Sequence, residues 1–538
     1  MFDAGLTATI ATARQHGIGD LLRRTASRTP HKTAIICGGV NWTYAEFDSI
    51  CVRLGRGLHG MGLAKGDRVA VLSRNSHAFA ALRFAAAKIG VILVPINFML
   101  NPDEIRFILA NSGARMLAVG ADFIDAAKAA TADGCKVKTL IWLPGEDVTT
   151  PPAGMLTFDE LLKDNGPISD ATVTGTDPAQ IIYTSGTESL PKGTVLTHDA
   201  VIWQYVSCII EGGMSAEDTM LHALPLYHCA QLDVFLGPMI YLGATNLIIG
   251  KPAPDLILSL IANHRINSFF APPTIWIAML RSPKFDSTDL TSLEKGYYGA
   301  SIMPVEVLLE LQRRLPNVRF WNFYGQTEIA PLATVLKPED QLRKAGSAGK
   351  PVLNVETRIV NVDMQDVAPG EIGEIVHRSA QLMSGYFNDP DKTSAAFRDG
   401  WFHSGDLATV DDEGFITVVD RVKDMIKTGG ENVASREVEE TIYKLAGISE
   451  VAVVGLPDPR WIEAVTAIVV TKAGATLDET SVIAHCASLM AHFKVPKRVV
   501  FVDELPKNPS GKLLKRELRQ RYLESDPLNE AVQRGAAG

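Results

Sequence analysis

Between residues 19 and 270 short apolar runs alternate with longer amphipathic stretches, and this alternation restricts the fold more than any other feature of the chain. The runs 68–72 (RVAVL), 91–95 (VILVP), 116–119 (MLAV) and 139–143 (TLIWL) read as buried strands. Between them, 44–58 and 77–89 carry apolar residues at helical spacing. Buried strands separated by amphipathic helices predict an α/β architecture with largely parallel sheets. After residue 346 the texture changes. Turn signals at Ala368-Pro369-Gly370 and Asp411-Asp412-Glu413-Gly414 separate the runs VETRIV, EIGEIV and FITVVD, which predicts a small β-rich subdomain over about 346–420. Beyond Asp420-Arg421 the order is helix (435–445), strand (451–455), strand (464–471) and helix (479–490). That describes a compact α+β module ending in a basic segment, 507–519, while 525–538 has little apolar periodicity and is expected to be disordered.

Composition narrows the partners. Lys and Arg number 52 against 61 Asp and Glu, a formal charge of −9, which argues against nucleic-acid binding through a basic surface. With 46% hydrophobic and 21% charged residues over 538 positions, a large buried core and more than one domain are expected. The 6 cysteines (Cys37, Cys51, Cys135, Cys208, Cys229, Cys486) lie far apart, with no C-x-x-C pair, and suggest neither a disulfide framework nor a cysteine-rich metal site. Residues 1–19 lack the basic start and apolar run of a signal peptide, and the most apolar window, 85–96, is broken by Lys88 and Pro95. A soluble, cytoplasmic protein is the expectation.

The strongest local signal is the run 181–193, IIYTSGTESLPKG, in which hydroxyls and glycines directly follow an apolar strand. Such a loop wraps a polyphosphate: glycines admit close backbone approach, N–H and hydroxyl groups donate to phosphate oxygens, and Lys192 supplies a cation. It is not a Walker A loop, because Lys192 precedes Gly193. Gly55-Arg56-Gly57-Leu58-His59-Gly60 matches G-x-G-x-x-G but ends a helix instead of linking a strand to one, so it is read as a helix terminus. Asn41-Trp42-Thr43 matches a glycosylation sequon that a cytoplasmic chain would not use.

The run YTSGTESLPKG resembles the phosphate-loop signature of the adenylate-forming superfamily, which includes acyl-CoA synthetases, firefly luciferase and peptide-synthetase adenylation domains. Further resemblances follow in the family's order: 324–328 (YGQTE), 400–406 (GWFHSGD), 420–432 (DRVKDMIKTGGEN) and 506–512 (PKNPSGK), with Trp42-Thr43-Tyr44 similar to an early one. The fold the resemblance implies is a large N-terminal domain, 1–420, of two α/β sheet subdomains and a small β-barrel-like subdomain. A small mobile α+β C-terminal domain, 421–538, would follow, with its hinge near Lys423.

The implied reaction has two steps. A carboxylate attacks the α-phosphate of ATP to give an acyl-adenylate and pyrophosphate, and a thiol then takes the acyl group. Joining an anion to a polyanion needs cations and preorganised donors. The resemblance assigns Thr184, Ser185, Gly186, Thr187 and Lys192 to the β and γ phosphates, Thr327 to the α-phosphate and Glu328 to Mg²⁺. Tyr324 is expected on the adenine, with Gly299, Ala300 and Ser301 across the slot, and Asp406 and Arg421 on the ribose. Lys512 would bridge carboxylate and α-phosphate, and rotation about Lys423 would replace it with 427–432, where Lys427 serves thiolysis and Gly429, Gly430 and Glu431 line the CoA channel. Trp203, Val206, His228, Leu232, Tyr298 and Gly299 are the expected acyl pocket, with His228 near the carboxylate. It is apolar and uncharged, which favours a hydrophobic acid over an amino acid; Asp233 is the nearest exception.

The chain departs from the family pattern in three places: Glu188-Ser189 replaces Thr-Gly beside the phosphates, Ile462 replaces a glycine in Trp461-Ile462-Glu463, and Ser301 replaces proline. The expected function is an ATP- and Mg²⁺-dependent acyl-CoA synthetase for a medium- or long-chain fatty acid. Aryl- or short-chain CoA ligation, acyl transfer to a carrier protein, and a weak nucleotide-binding homologue stay open as alternatives. The implied partners are the acid, ATP and CoA, and a homodimer is compatible with the sequence.

Overall fold

The computed structural model describes residues 4–132, 135–147, 150–164, 166, 168, 171–184, 191–299, 301, 303–421, 424–428, 431–508 and 513–524. Two large sheets dominate. One has 8 strands, built on parallel pairing among Arg68–Leu72, Ile92–Pro95, Met116–Gly120, Thr139–Leu143, Leu156–Thr157 and Pro178–Thr184. Its far edge turns antiparallel at Lys192–Thr197 and Gly385–Tyr386. The other has 9 strands, parallel from Thr33–Cys37 through Thr245–Ile248, Thr219–His222, Ser268–Phe270 and Lys295–Gly299 to Arg319–Gly325.

The main core lies between the sheets and packs Val69, Leu93 and Ile182 of one against Ile35 and Ile248 of the other through the intervening helices. Helix His77–Ile89 is buried on every side except at Lys88, which explains its run of alanines and the absence of a polar stripe. The expected spans 68–72, 77–89 and 139–143 match the strands and helix formed there.

Trp42-Thr43-Tyr44 acts locally as a capping box. Thr43 Oγ1 accepts from Glu46 N at 3.2 Å, and Thr43 N donates to Glu46 Oε2 at 2.8 Å, starting helix Tyr44–Gly60. The G-x-G-x-x-G run is the end of this helix. A Cβ on Gly57 would lie 2.3 Å from the Leu161 carbonyl oxygen, so the glycine serves close packing.

The β-rich subdomain is a curled sheet of 5 strands in which Val355–Val360, Gly373–Ser379, Trp401–Val410 and Ile416–Arg421 pair antiparallel in succession. The C-terminal module adds elements beyond the expected four. A hairpin, Ile426–Thr428 with Glu431–Val433, and the parallel strand Arg498–Phe501 join Ile448–Asp458 and Ile462–Thr471 in one sheet. The basic segment ends in helix Lys515–Glu524. Ile462 sits at φ 71°, a left-handed conformation that costs an L-residue roughly 1–2 kcal/mol and that a glycine, as the resemblance leads one to expect there, would adopt without that cost. No helix among the described residues is long and apolar enough to cross a membrane.

Burial holds His77, His198, His222 and His377 neutral, pulling their pKa values down to about 4, 3, 4 and 3. Hydrogen bonding agrees: His198 Nδ1 accepts from Ile18 N at 3.2 Å, and His222 lies between Gln231 and Asn246 at 2.7 and 2.9 Å. In the unfolded chain histidine titrates near ~6.5, so between ~6.5 and ~4 the unfolded state binds protons that the native state refuses. Each histidine therefore removes about 1.4 kcal/mol of stability per pH unit as the pH falls through that window. The urea midpoint at pH 5 is expected well below that at pH 7. Equal midpoints would mean that these rings are charged inside the fold.

Candidate active site

The phosphate-loop hairpin is set by its strands. Thr184 closes Pro178–Thr184 opposite Lys192, the first residue of Lys192–Thr197. Ser185, Gly186 and Thr187, with the Glu188-Ser189 departure, lie outside the described residues. Lys192 Nζ stands 5.2 Å from the centre of the Tyr386 ring, and the Tyr386 hydroxyl donates to Glu328 Oε1 at 2.9 Å. Burial and the Glu328 charge push the Tyr386 phenol far up, so it stays a donor. Tyr386 was not singled out by the sequence. Its link to Lys192 and Glu328 spans long stretches of chain, and the strand Gly385–Tyr386 that fixes it forms only by pairing with Lys192–Thr197.

Glu328 is half-buried in the turn Thr327–Ile329 that follows strand Arg319–Gly325, and its backbone carbonyl accepts from Met383 N at 2.8 Å. Thr327 is buried, with its hydroxyl 3.4 Å from Cys229 Sγ. On the nucleotide side, Tyr324 donates to Asp406 Oδ2 at 2.6 Å and Arg421 Nε lies 3.2 Å from Asp406 Oδ1. Asp406 and Arg421 are paired across the antiparallel ladder, so sheet register alone brings them together. Each carboxylate oxygen spends one acceptor site on protein and keeps another for a ligand. Gly299 ends strand Lys295–Gly299, where a Cβ would meet the Phe323 carbonyl oxygen at 2.4 Å. Ser301 is half-buried, and Ala300 lies outside the described residues.

His228 stands on a segment held from several directions. Asn75 Nδ2 donates to Leu224 O and Asn75 Oδ1 accepts from Leu226 N, each at 2.7 Å, while Gln231 Oε1 accepts from Leu224 N at 3.2 Å. His228 Nδ1 accepts from Ala230 N at 3.1 Å, which fixes the ring proton on Nε2. A π-helical stretch, Ala230–Leu236, follows; such turns re-aim side chains near functional sites. Asp233 on this stretch is turned into the core. Its carboxylate accepts from Gln180 Nε2 at 2.6 Å, Arg83 Nη2 at 3.3 Å and Tyr205 at 3.4 Å. The acid that stood as an exception to an uncharged acyl pocket is thus consumed internally.

The expected acyl residues divide. Val206 is half-buried on helix His198–Glu211, and Leu232 is buried in the main core. Trp203 on the same helix is 47% exposed, at the surface instead of inside a closed pocket. Tyr298 points to the opposite face of its strand from Tyr297, packs with Trp276 and Leu308, and donates to Gln341 Oε1 at 2.7 Å. Adjacent strand residues face opposite sides, so Tyr297 and Tyr298 enter different clusters.

In the C-terminal module Lys427 and Glu431 are exposed, and Lys427 N donates to Glu463 Oε2 at 2.6 Å. Lys423, Gly429, Gly430 and Lys512 lie outside the described residues. Among the described residues, this module meets the larger part through Arg436, which donates to Val418 O and to Gly346 O, through Ser435, whose N and Oγ each donate to Asp420 Oδ2 at 2.7 Å, and through Arg281, which donates to Ser449 O at 3.1 Å.

Residues 22–387 match the family model described as AMP-binding enzyme, and 437–512 match the AMP-binding enzyme C-terminal domain. The chain belongs to the AMP-binding enzyme family. As a member it is an AMP-forming acid–thiol ligase, and its relatives match it along nearly their whole length. A feruloyl-CoA synthase of Amycolatopsis sp is 37% identical over 95% of this chain and 100% of its own. An indoleacetate–CoA ligase of Aromatoleum aromaticum is 37% identical over 94% and 98%. The long-chain-fatty-acid–CoA ligase FadD13 of Mycobacterium tuberculosis is 35% identical over 95% and 99%. Among solved structures, the anthranilate CoA ligase AuaEII in complex with anthranoyl-AMP superposes with a TM-score of 0.88, at 26% identity over 94% of this chain and 97% of that one.

A carboxylate that accepts two ribose hydroxyls holds them with charge-assisted bonds of roughly 1.5–3 kcal/mol each. Asp406→Ala is therefore expected to weaken ATP binding about a hundredfold in calorimetry. An unchanged dissociation constant would remove Asp406 from the nucleotide site.

Proposed function

We propose that this chain activates a hydrophobic carboxylic acid lacking an ammonium group as its acyl-adenylate and transfers the acyl group to CoA. The observation that carries this reading is the convergence of Lys192, Thr327, Glu328 and the Tyr324–Asp406–Arg421 group, together with an Asp233 that offers no charge to the acid. An arylalkenoic or arylacetic acid comes first, because two of the most similar relatives are named for such acids. A medium- or long-chain fatty acid is the second reading, supported by the fatty-acid relative at 35% identity.

In the first step a carboxylate oxygen bonds to the α-phosphorus as the bond to the pyrophosphate oxygen breaks. In this reading His228, whose Nδ1 accepts from Ala230 N and leaves the ring proton on Nε2, donates toward the acid carboxylate, and the Thr327 hydroxyl donates toward the α-phosphate. Mg²⁺ fits the donor set, since it binds through one or two carboxylates plus phosphate oxygens and Glu328 is a half-buried carboxylate linked through Tyr386 to Lys192. When bound it would neutralise phosphate charge. In the second step the thiol sulfur bonds to the acyl carbon and AMP leaves. Lys512 belongs to the first step and Lys427 to the second, each brought in by rotation of the C-terminal domain, 421–538, about Lys423 against the domain 1–420.

Lys512→Ala is expected to slow adenylate formation by about a hundred- to thousandfold while sparing thiolysis of supplied acyl-adenylate. Lys427→Ala is expected to do the reverse. A pyrophosphate-release panel of aryl, medium-chain and long-chain acids, run with and without CoA, names the acid. Equal losses by both variants in both half-reactions would overturn the rotation, and release indifferent to CoA would point to a carrier-protein acceptor.

A further inference from the structure

The strip Met383–Phe387 laces two parts of the site that are far apart in sequence. Met383 N donates to the carbonyl of Glu328 at 2.8 Å, Ser384 N to Val195 O at 3.0 Å, and Phe387 N to Gly193 O at 2.7 Å. Gly385–Tyr386 thereby becomes an extra strand on the phosphate-loop hairpin, with Tyr386 opposite Thr194. Tyr386 N is fixed in turn by Thr393 Oγ1 at 2.9 Å. The backbone of this short strand is tied both to the hairpin that carries Lys192 and to the turn that carries Glu328.

The side chain repeats the connection. The ring faces Lys192 Nζ at 5.2 Å, and the hydroxyl donates to Glu328 Oε1 at 2.9 Å. A glutamate at a turn has several free torsions, and a charge-assisted bond to one oxygen removes most of its alternatives while leaving the other oxygen open. A cation over an aromatic face is held without losing its own N–H donors.

We propose that Tyr386 is a positioning residue for adenylate formation: its hydroxyl aims the Glu328 carboxylate and its ring seats the Lys192 ammonium, so that one side chain sets both groups against the nucleotide. This rests on the adenylation reading given above. Tyr386 touches neither acid nor thiol in this role and acts through Glu328 and Lys192.

Tyr386→Phe keeps the ring and removes only the hydroxyl. Magnesium ATP binding, measured by calorimetry, is expected to weaken about ten- to a hundredfold, while binding of metal-free AMP and thiolysis of supplied acyl-adenylate stay within about twofold. Tyr386→Leu, which also removes the ring, is expected to lose about a further two- to fivefold. In a Glu328→Gln background, Tyr386→Phe is expected to add less than about twofold, because its partner charge is already gone. If Glu328→Gln weakens magnesium ATP binding but Tyr386→Phe alone does not, the positioning role falls and the adenylation reading stands. Losses by Tyr386→Phe that add in full to those of Glu328→Gln would equally overturn it, as would equal losses in AMP binding and thiolysis. If Glu328→Gln itself is silent, the underlying assignment of Glu328 fails, and the positioning role fails with it.

Discussion

A carboxylate with no solvent contact anchors the middle of this molecule. Asp233 is 0% exposed and its partner Arg83 is 1% exposed. Burying such a pair adds little net stability, but removing one partner strands a charge and costs about 3–5 kcal/mol. Once helix His77–Ile89 supplies Arg83, strand Pro178–Thr184 supplies Gln180 and helix His198–Glu211 supplies Tyr205, the segment bearing Asp233 is held in one position. Two consequences reach the site. The phosphate-loop strand and the segment following His228 are fixed relative to each other, and the one acid on that segment is withdrawn from the acyl side.

The remaining chemistry is organised by sheet register more than by loops. Asp406 faces Arg421 because their strands pair there, and Lys192 faces Thr184 for the same reason. Parallel strands of both large sheets present their carboxyl ends near one another, and Gly299 and Tyr324–Gly325 lie at such ends. Among the described residues the C-terminal module joins this body through polar contacts, Arg436 and Arg281 on backbone carbonyls and Ser435 on the Asp420 carboxylate. Polar interfaces of that kind leave relative domain motion as the default.

Much of this was legible from periodicity and motif. Residues 68–72 and 77–89 announce a strand and a helix because burial on every side leaves a continuous apolar run. The G-x-G-x-x-G decoy was recognisable from its helical context, and Gly57 against Leu161 shows what the glycine is for. What remained illegible depends on contacts between distant residues. Asn75, in a bend, and Gln231, in the π-helical stretch Ala230–Leu236, hold the His228 segment, and neither position has a periodic signature. Tyr386 acquires meaning only when its short strand pairs with a hairpin almost two hundred residues earlier in the chain, at Thr194. Tyr297 and Tyr298 face opposite sides of their strand, and motif matching carries no information about which side is which.

In this account the chain forms an adenylate of a hydrophobic acid lacking an ammonium group before any thiol enters. Acid-dependent exchange of labelled pyrophosphate into ATP without CoA reads that step alone, and comparing an arylpropenoic acid with phenylalanine reads the missing ammonium partner. Exchange with the arylpropenoic acid is expected to exceed that with phenylalanine at least about a hundredfold, because an ammonium group would be desolvated there without a counter-ion. Comparable exchange with phenylalanine, or exchange that requires CoA, would contradict the account.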